Sequence, residues 1–153
     1  MMINLEHIDK YISWKNKWLN KSSLDLFQYI SFNMHPDDIL IAGKLLFPDI
    51  IQVDNCILLK TNYCEEVYKS IKAQYDNNHQ KIEYEINRIH LYDIFAHCID
   101  NVSDTSFKEI ATLLQFSWKI YFKEILPNKR VIVEHIDNQI EYGNILTFYS
   151  DEC

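Results

Sequence analysis

The 153-residue chain holds only two glycines and three prolines, the residues that bend or interrupt a backbone most cheaply. Glycine takes positive φ at no steric cost, and among the others only Asn and Asp do so with any ease. Tight turns must therefore fall where Asp and Asn cluster, at Asp54-Asn55, Asp76-Asn77-Asn78 and Asp137-Asn138. Between these breaks the chain keeps long helical or strand-like patterns. Collagen-like and low-complexity classes are excluded. So is a glycine-rich phosphate cradle, because Gly43 and Gly143 stand alone.

Periodicity fills in the segments. Asn4 is placed to cap a first helix carrying Leu5, Ile8, Ile12 and Leu19, with Tyr11, Trp14 and Trp18 beside them. Ser22 or Ser23 opens a segment to Phe32, helical by Leu24, Phe27 and Ile30 but strand-like over Tyr29–Met34. His35-Pro36-Asp37-Asp38 reads as a helix start, with proline at the first position and two acids against the dipole; Pro48 stops that helix. Ile50–Val53 and Cys56–Lys60 flank Asp54-Asn55 as a hairpin. Asn62 and Glu65 have capping-box spacing before Cys64, Val67, Tyr68, Ile71 and Tyr75. A helical stretch with a phase shift, a kink or two short helices, is expected from Gln80 to Ile99. Ser106 and Glu109 then cap a long helix ended by Pro127, and Val131–Ile136 with Ile140–Tyr149 form a second hairpin. Helices dominate and strands come in two hairpins, which predicts an α+β fold in one globular domain over 1–153.

Charge narrows the function. Acids outnumber bases 22 to 15, for a net charge of −7. Residues 81–153 contribute −5 of it (7 Lys/Arg against 12 Asp/Glu). Such a surface repels phosphate backbones and anionic lipid and suits a basic partner, so neither nucleic-acid nor membrane binding is expected. No apolar run approaches the ~20 residues of a membrane span, and Met1–Leu5 runs into charged residues without a signal core. With no C-x-x-C pair, Cys56, Cys64, Cys98 and Cys153 are expected as free thiols in a reducing cytoplasm.

Catalytic patterns are sparse. His35-Pro36-Asp37-Asp38 resembles the zinc signature of sugar deacetylases related to the GlcNAc-phosphatidylinositol de-acetylase. Ile39-Leu40-Ile41-Ala42 follows where that family has Glu and a glycine-rich turn, and a helix start accounts for the same four residues. His90, Asp93 and His97 have i, i+3, i+7 spacing, and on one helix they would present a zinc or iron ligand set. A small metal-dependent hydrolase using them, with His35, is the alternative enzyme reading; a self-associating adaptor domain is a third. No Gly-x-Ser-x-Gly elbow occurs, and no catalytic residue or cofactor is assigned. Tyrosines beside acids are a common make-up for gripping a basic protein. The candidates are Glu83, Tyr84 and Glu85, then Glu134 and Asp137, then Glu141 and Tyr142.

The stretch Lys44–Leu59, together with Asn87–Asp93, resembles small bacterial immunity proteins of contact-dependent inhibition and other polymorphic toxin systems. It departs from them at Asn55, where glycine is expected, and at Arg88, where a second histidine is expected. The resemblance implies a non-enzymatic intracellular protein that binds and neutralises one cognate toxin domain, with no functional residue carried over. Skewed composition agrees with a horizontally acquired AT-rich gene, with 22 Ile and 13 Asn against 11 Ala, Gly, Pro and Arg together.

Overall fold

A computed structural model describes residues 3–98, 102–137 and 143–151. The fold class is α+β, with helices predominating over two small antiparallel sheets. Contacts group the chain into two compact units, Met1–Leu45 and Leu46–Cys153.

The first unit is helical. A 3-10 turn at Leu5–His7 is capped by Asn4, whose side chain accepts the Glu6 N–H. Helices α1 (Asp9–Lys15) and α2 (Leu26–Asn33) follow, and α3 (Pro36–Leu46) starts in this unit. The first helix stops at Lys15, short of Leu19. Asp25, not Ser22 or Ser23, caps α2, in a reciprocal box with Gln28. That box resolves the ambiguity over Tyr29–Met34 in favour of helix. Aromatic spacing joins α1 to α2: Trp14 meets Tyr29 edge-on at 5.2 Å, and Trp18 lies 5.2 Å from Phe32. Pro36 opens α3 as expected. The Asp38 carboxylate accepts the His35 N–H (2.8 Å) and His35 Nδ1 accepts the Asp37 N–H (3.2 Å), so the motif satisfies a helix N-terminus.

In the second unit β1 (Ile50–Val53) and β2 (Cys56–Leu59) pair as the expected hairpin, with Asp54 at φ 52°. Tyr68 and Lys72 of α4 (Glu65–Gln74) both reach the Asp54 carboxylate, and these bonds, Lys72 first, hold it below the usual range. Cys56 and Leu58 bury against Tyr68, Ile82 and Ile86, and burial pushes the Cys56 thiol up. Cys56, Cys64 and Cys98 are free thiols, the last two exposed; Cys153 lies outside the described residues. The expected cap of α4 is replaced. Cys64 occupies the N-cap, and Asn62 instead donates to the carbonyls of Ile86 (2.8 Å) and Arg88 (2.9 Å). Asp76 and Asn77 both take positive φ, and Asn78 caps α5 (His79–Ile86).

Of the two alternatives for Gln80–Ile99, a kink or two short helices, the structure has two short helices, α5 and the single turn α6 (Leu91–Ile94); the phase shift between them marks an unexpected strand, β3 (Ile89–His90). Helix α7 (Asp104–Ile125) is capped by Ser103 rather than Ser106, whose N–H the Ser103 hydroxyl accepts. Strands β4 (Val131–Asp137) and β5 (Asn144–Ser150) pair antiparallel, Asp137 opposite Asn144. Asp137 is therefore a strand residue, not part of a two-residue turn, and residues 138–142 lie outside the description. β3 adds to β5, giving the order β3-β5-β4. Phe148 and Val133 face α7, where Trp118 and Phe122 stack on Phe148 at 5.7 and 4.4 Å. Among the described residues no helix is long and apolar enough to cross a membrane.

Two side chains of α5 join the two sheets. Glu83 and Asn87 are one turn apart and both fully buried. Glu83 accepts the Ile57 N–H of β2 (2.7 Å) on one oxygen and the Ser150 N–H and hydroxyl of β5 on the other. Asn87 accepts the Leu59 N–H (2.8 Å) and donates to the carbonyls of Ile57 (2.8 Å) and Phe148 (3.0 Å). These backbone groups are the outward edge of β2 and the part of β5 beyond β3. Left unpaired in the interior, each would cost about 1–3 kcal/mol. Glu83→Gln turns an amide NH2 toward a donor on one side or the other. It is expected to lower stability by about 2 kcal/mol, or ~4–8 °C in melting temperature, read by thermal unfolding; an unchanged melting temperature contradicts the assignment.

Candidate functional site

The seven candidate residues separate once their elements are placed. Glu83 is corrected: it is 0% exposed, and its carboxylate is committed to Ile57 and Ser150, so it has no surface to offer a partner. Glu141 and Tyr142 lie outside the described residues. Asp137 is exposed at the end of β4 and pairs with Lys108 of α7 at 2.9 Å. Tyr84, Glu85 and Glu134 come together, although 49 positions separate Glu85 from Glu134 in the chain.

The register explains how. Ile132, Glu134 and Ile136 share one side of β4, opposite Tyr149, Thr147 and Ile145 of β5. Val133 and Phe148 take the other side, against α7. The Tyr149 hydroxyl donates to Glu134, two residues diagonally across the strands. The Tyr149 ring lies 5.9 Å from that of Tyr84, and Thr147 fixes this part of α5 by donating to the Tyr84 carbonyl at 2.7 Å. Arg88 stacks over Tyr84 at 5.8 Å and meets Glu85 at 3.5 Å, and Tyr75 donates to Glu85 at 3.3 Å. Ile132, Glu134, Ile136, Tyr84, Glu85 and Tyr149 are all half-buried. The outcome is a face in which each acid is held by a tyrosine and bordered by aliphatic or aromatic surface. Held acids of this kind meet a cationic side chain with little rotamer entropy left to lose. Tyr149 was missed in the sequence because its link to Glu134 depends on strand register.

The proposed metal ligands do not share a helix. His90 is in β3, Asp93 in α6 and His97 in the turn beyond it, so the i, i+3, i+7 argument loses its premise. Among the described residues no three His, Cys, Asp or Glu side chains gather where a metal ion would fit. His35 belongs to the start of α3. Comparison with protein families, with curated proteins and with solved structures yields no match.

The hydrogen bond to Glu134, with burial second, pushes the Tyr149 phenol up to about 12. Its unfolded value is about 10. The folded state therefore holds this proton more tightly, and the stabilisation is fully present below pH ~10 and lost as pH rises through the folded value. Absorbance titration of the tyrosinates, with Tyr149→Phe as the difference, should show Tyr149 ionising late and Glu134→Gln advancing it. Ionisation near pH 10 in the folded wild type would refute the contact.

Proposed function

We propose that this chain is an immunity protein that neutralises one cognate bacterial toxin domain by stoichiometric binding, and that the β4–β5–α5 face grips the toxin. The observation that carries the reading is the tyrosine-held acid at its centre, Glu134 with Tyr149, beside Tyr84 and Glu85. Overall charge supports it, since −5 of the −7 falls in residues 81–153. A basic toxin, as many nuclease toxins are, would be drawn in by that field, while the tyrosines and isoleucines supply contact area that excludes water. The resemblance of Lys44–Leu59 and Asn87–Asp93 to immunity proteins points the same way, and those segments include the first hairpin and the strand that abuts β5.

The reading expects a large secreted protein with a variable C-terminal domain to be encoded beside this gene, and the experiment uses that domain. Coexpression should relieve its toxicity, and the purified proteins should form a 1:1 complex. Changing Glu85 and Glu134 together to lysine should weaken binding more than tenfold, chiefly through a slower on-rate with flatter salt dependence. Failure to relieve toxicity, with no complex at micromolar concentrations, removes the immunity reading. A complex indifferent to the double variant removes this face from it.

A further inference from the structure

The end of α7 and the start of β4 frame a groove whose sign opposes that of the chain. Pro127 cannot continue the helix, and the chain turns back with the Lys129 N–H on the Leu126 carbonyl at 3.0 Å. The Asp151 N–H then holds the Arg130 carbonyl at 2.8 Å, where β4 begins. Further along, Gln115 of α7 donates to the Val133 carbonyl at 3.0 Å, and Val133 is buried beneath the helix. A long helix, a hydrogen-bonded turn and a paired strand therefore set the walls. The groove holds about 420 Å³, within the range of small-molecule sites.

Its lining is cationic. Lys119 and Lys123, one turn apart on α7, join Lys129 and Arg130 around a floor that includes Leu126 and Val131. No acid lines it. Asp151 reaches Arg130 at 3.3 Å, but among the described residues no ion pair engages Lys119, Lys123 or Lys129. These four are more than half of the seven Lys/Arg in residues 81–153, a stretch of net charge −5. Cations gathered without acids repel one another, and a bound anion relieves that repulsion.

We propose that this groove binds a small molecule bearing at least two phosphate groups, with the phosphates on the lysines and its less polar part against Leu126 and Val131. Phosphate fits better than carboxylate. An ammonium is a point charge with three rotatable donors and meets a tetrahedral anion from many directions. The guanidinium here, the group that matches a planar carboxylate, is already on Asp151. A small molecule fits better than a chain. α7 covers the middle of β4, which closes off an added strand, and a long nucleic acid would run from four cations onto a chain of net charge −7. The inference stands apart from the toxin reading, whose residues occupy the opposite side of β4.

The test is isothermal titration calorimetry of the full chain in about 0.15 M salt, without divalent cations. The probes are inorganic tripolyphosphate, adenosine triphosphate, citrate and an oligothymidylate of about eight nucleotides. Both phosphate probes are expected to bind saturably at micromolar concentrations, with amide shifts in nuclear magnetic resonance centred on Lys119, Lys123 and Lys129–Val131. Lys119→Glu with Lys123→Glu, both exposed and checked for an unchanged melting temperature, should weaken binding about tenfold or more. Lys60→Glu with Lys69→Glu, the same charge change on exposed residues outside the groove, should weaken it less than about twofold. Failure of either phosphate probe to bind saturably overturns the proposal and leaves the lysines as solvated charges. Citrate binding as tightly as tripolyphosphate, tighter binding of the oligothymidylate, or an equal loss in the two variants also overturns it.

Discussion

A buried carboxylate and a buried amide, Glu83 and Asn87, hold the second unit together. Two strand edges that do not pair with each other find their hydrogen-bond partners on one turn of α5. Burying a carboxylate costs several kcal/mol unless its oxygens are satisfied, and here they take three donors from two sheets. The pair does the work of a missing strand. Where β3 stops after two residues, α5 continues the pairing of β5 with side chains and passes it on to β2.

The acidic face follows from that join. With α5 fixed against β5, Tyr84 is delivered to Tyr149, and Tyr149 to Glu134. With β5 occupied on one side by β3 and α5, β4 must be the edge, and α7 runs back along it. Lys108 meets Asp137 at one end of β4 and Gln115 meets Val133 midway.

Much of the architecture was legible where local chemistry decides it. Pro36 with its two acids, the strand pair around Asp54, the break at Asp76–Asn78 and the stripe of α7 all depend on neighbours a few residues away. Errors fell where distant partners decide. Asn62 looked like a helix cap but serves carbonyls more than twenty positions on. β3 has two residues and exists only because β5 offers an edge, so in sequence it shows only as a phase shift between two short helices. Glu83 and Glu85 flank the same tyrosine and look alike in sequence; only contacts 26 and 67 positions away make the first a core residue and leave the second on the surface. The same blindness hid Tyr149, whose role depends on register rather than composition.

Native-state hydrogen exchange tests the join most directly. If α5 completes both edges, the amides of Ile57, Leu59 and Ser150 open only in the unfolding that releases the whole unit. Their exchange free energies should agree with one another and match the slowest amides of α7. Fast, independent exchange at Ile57 and Leu59 while Ser150 stays protected would mean that the hairpin opens on its own and that Glu83 and Asn87 do not bind the two sheets into one structure.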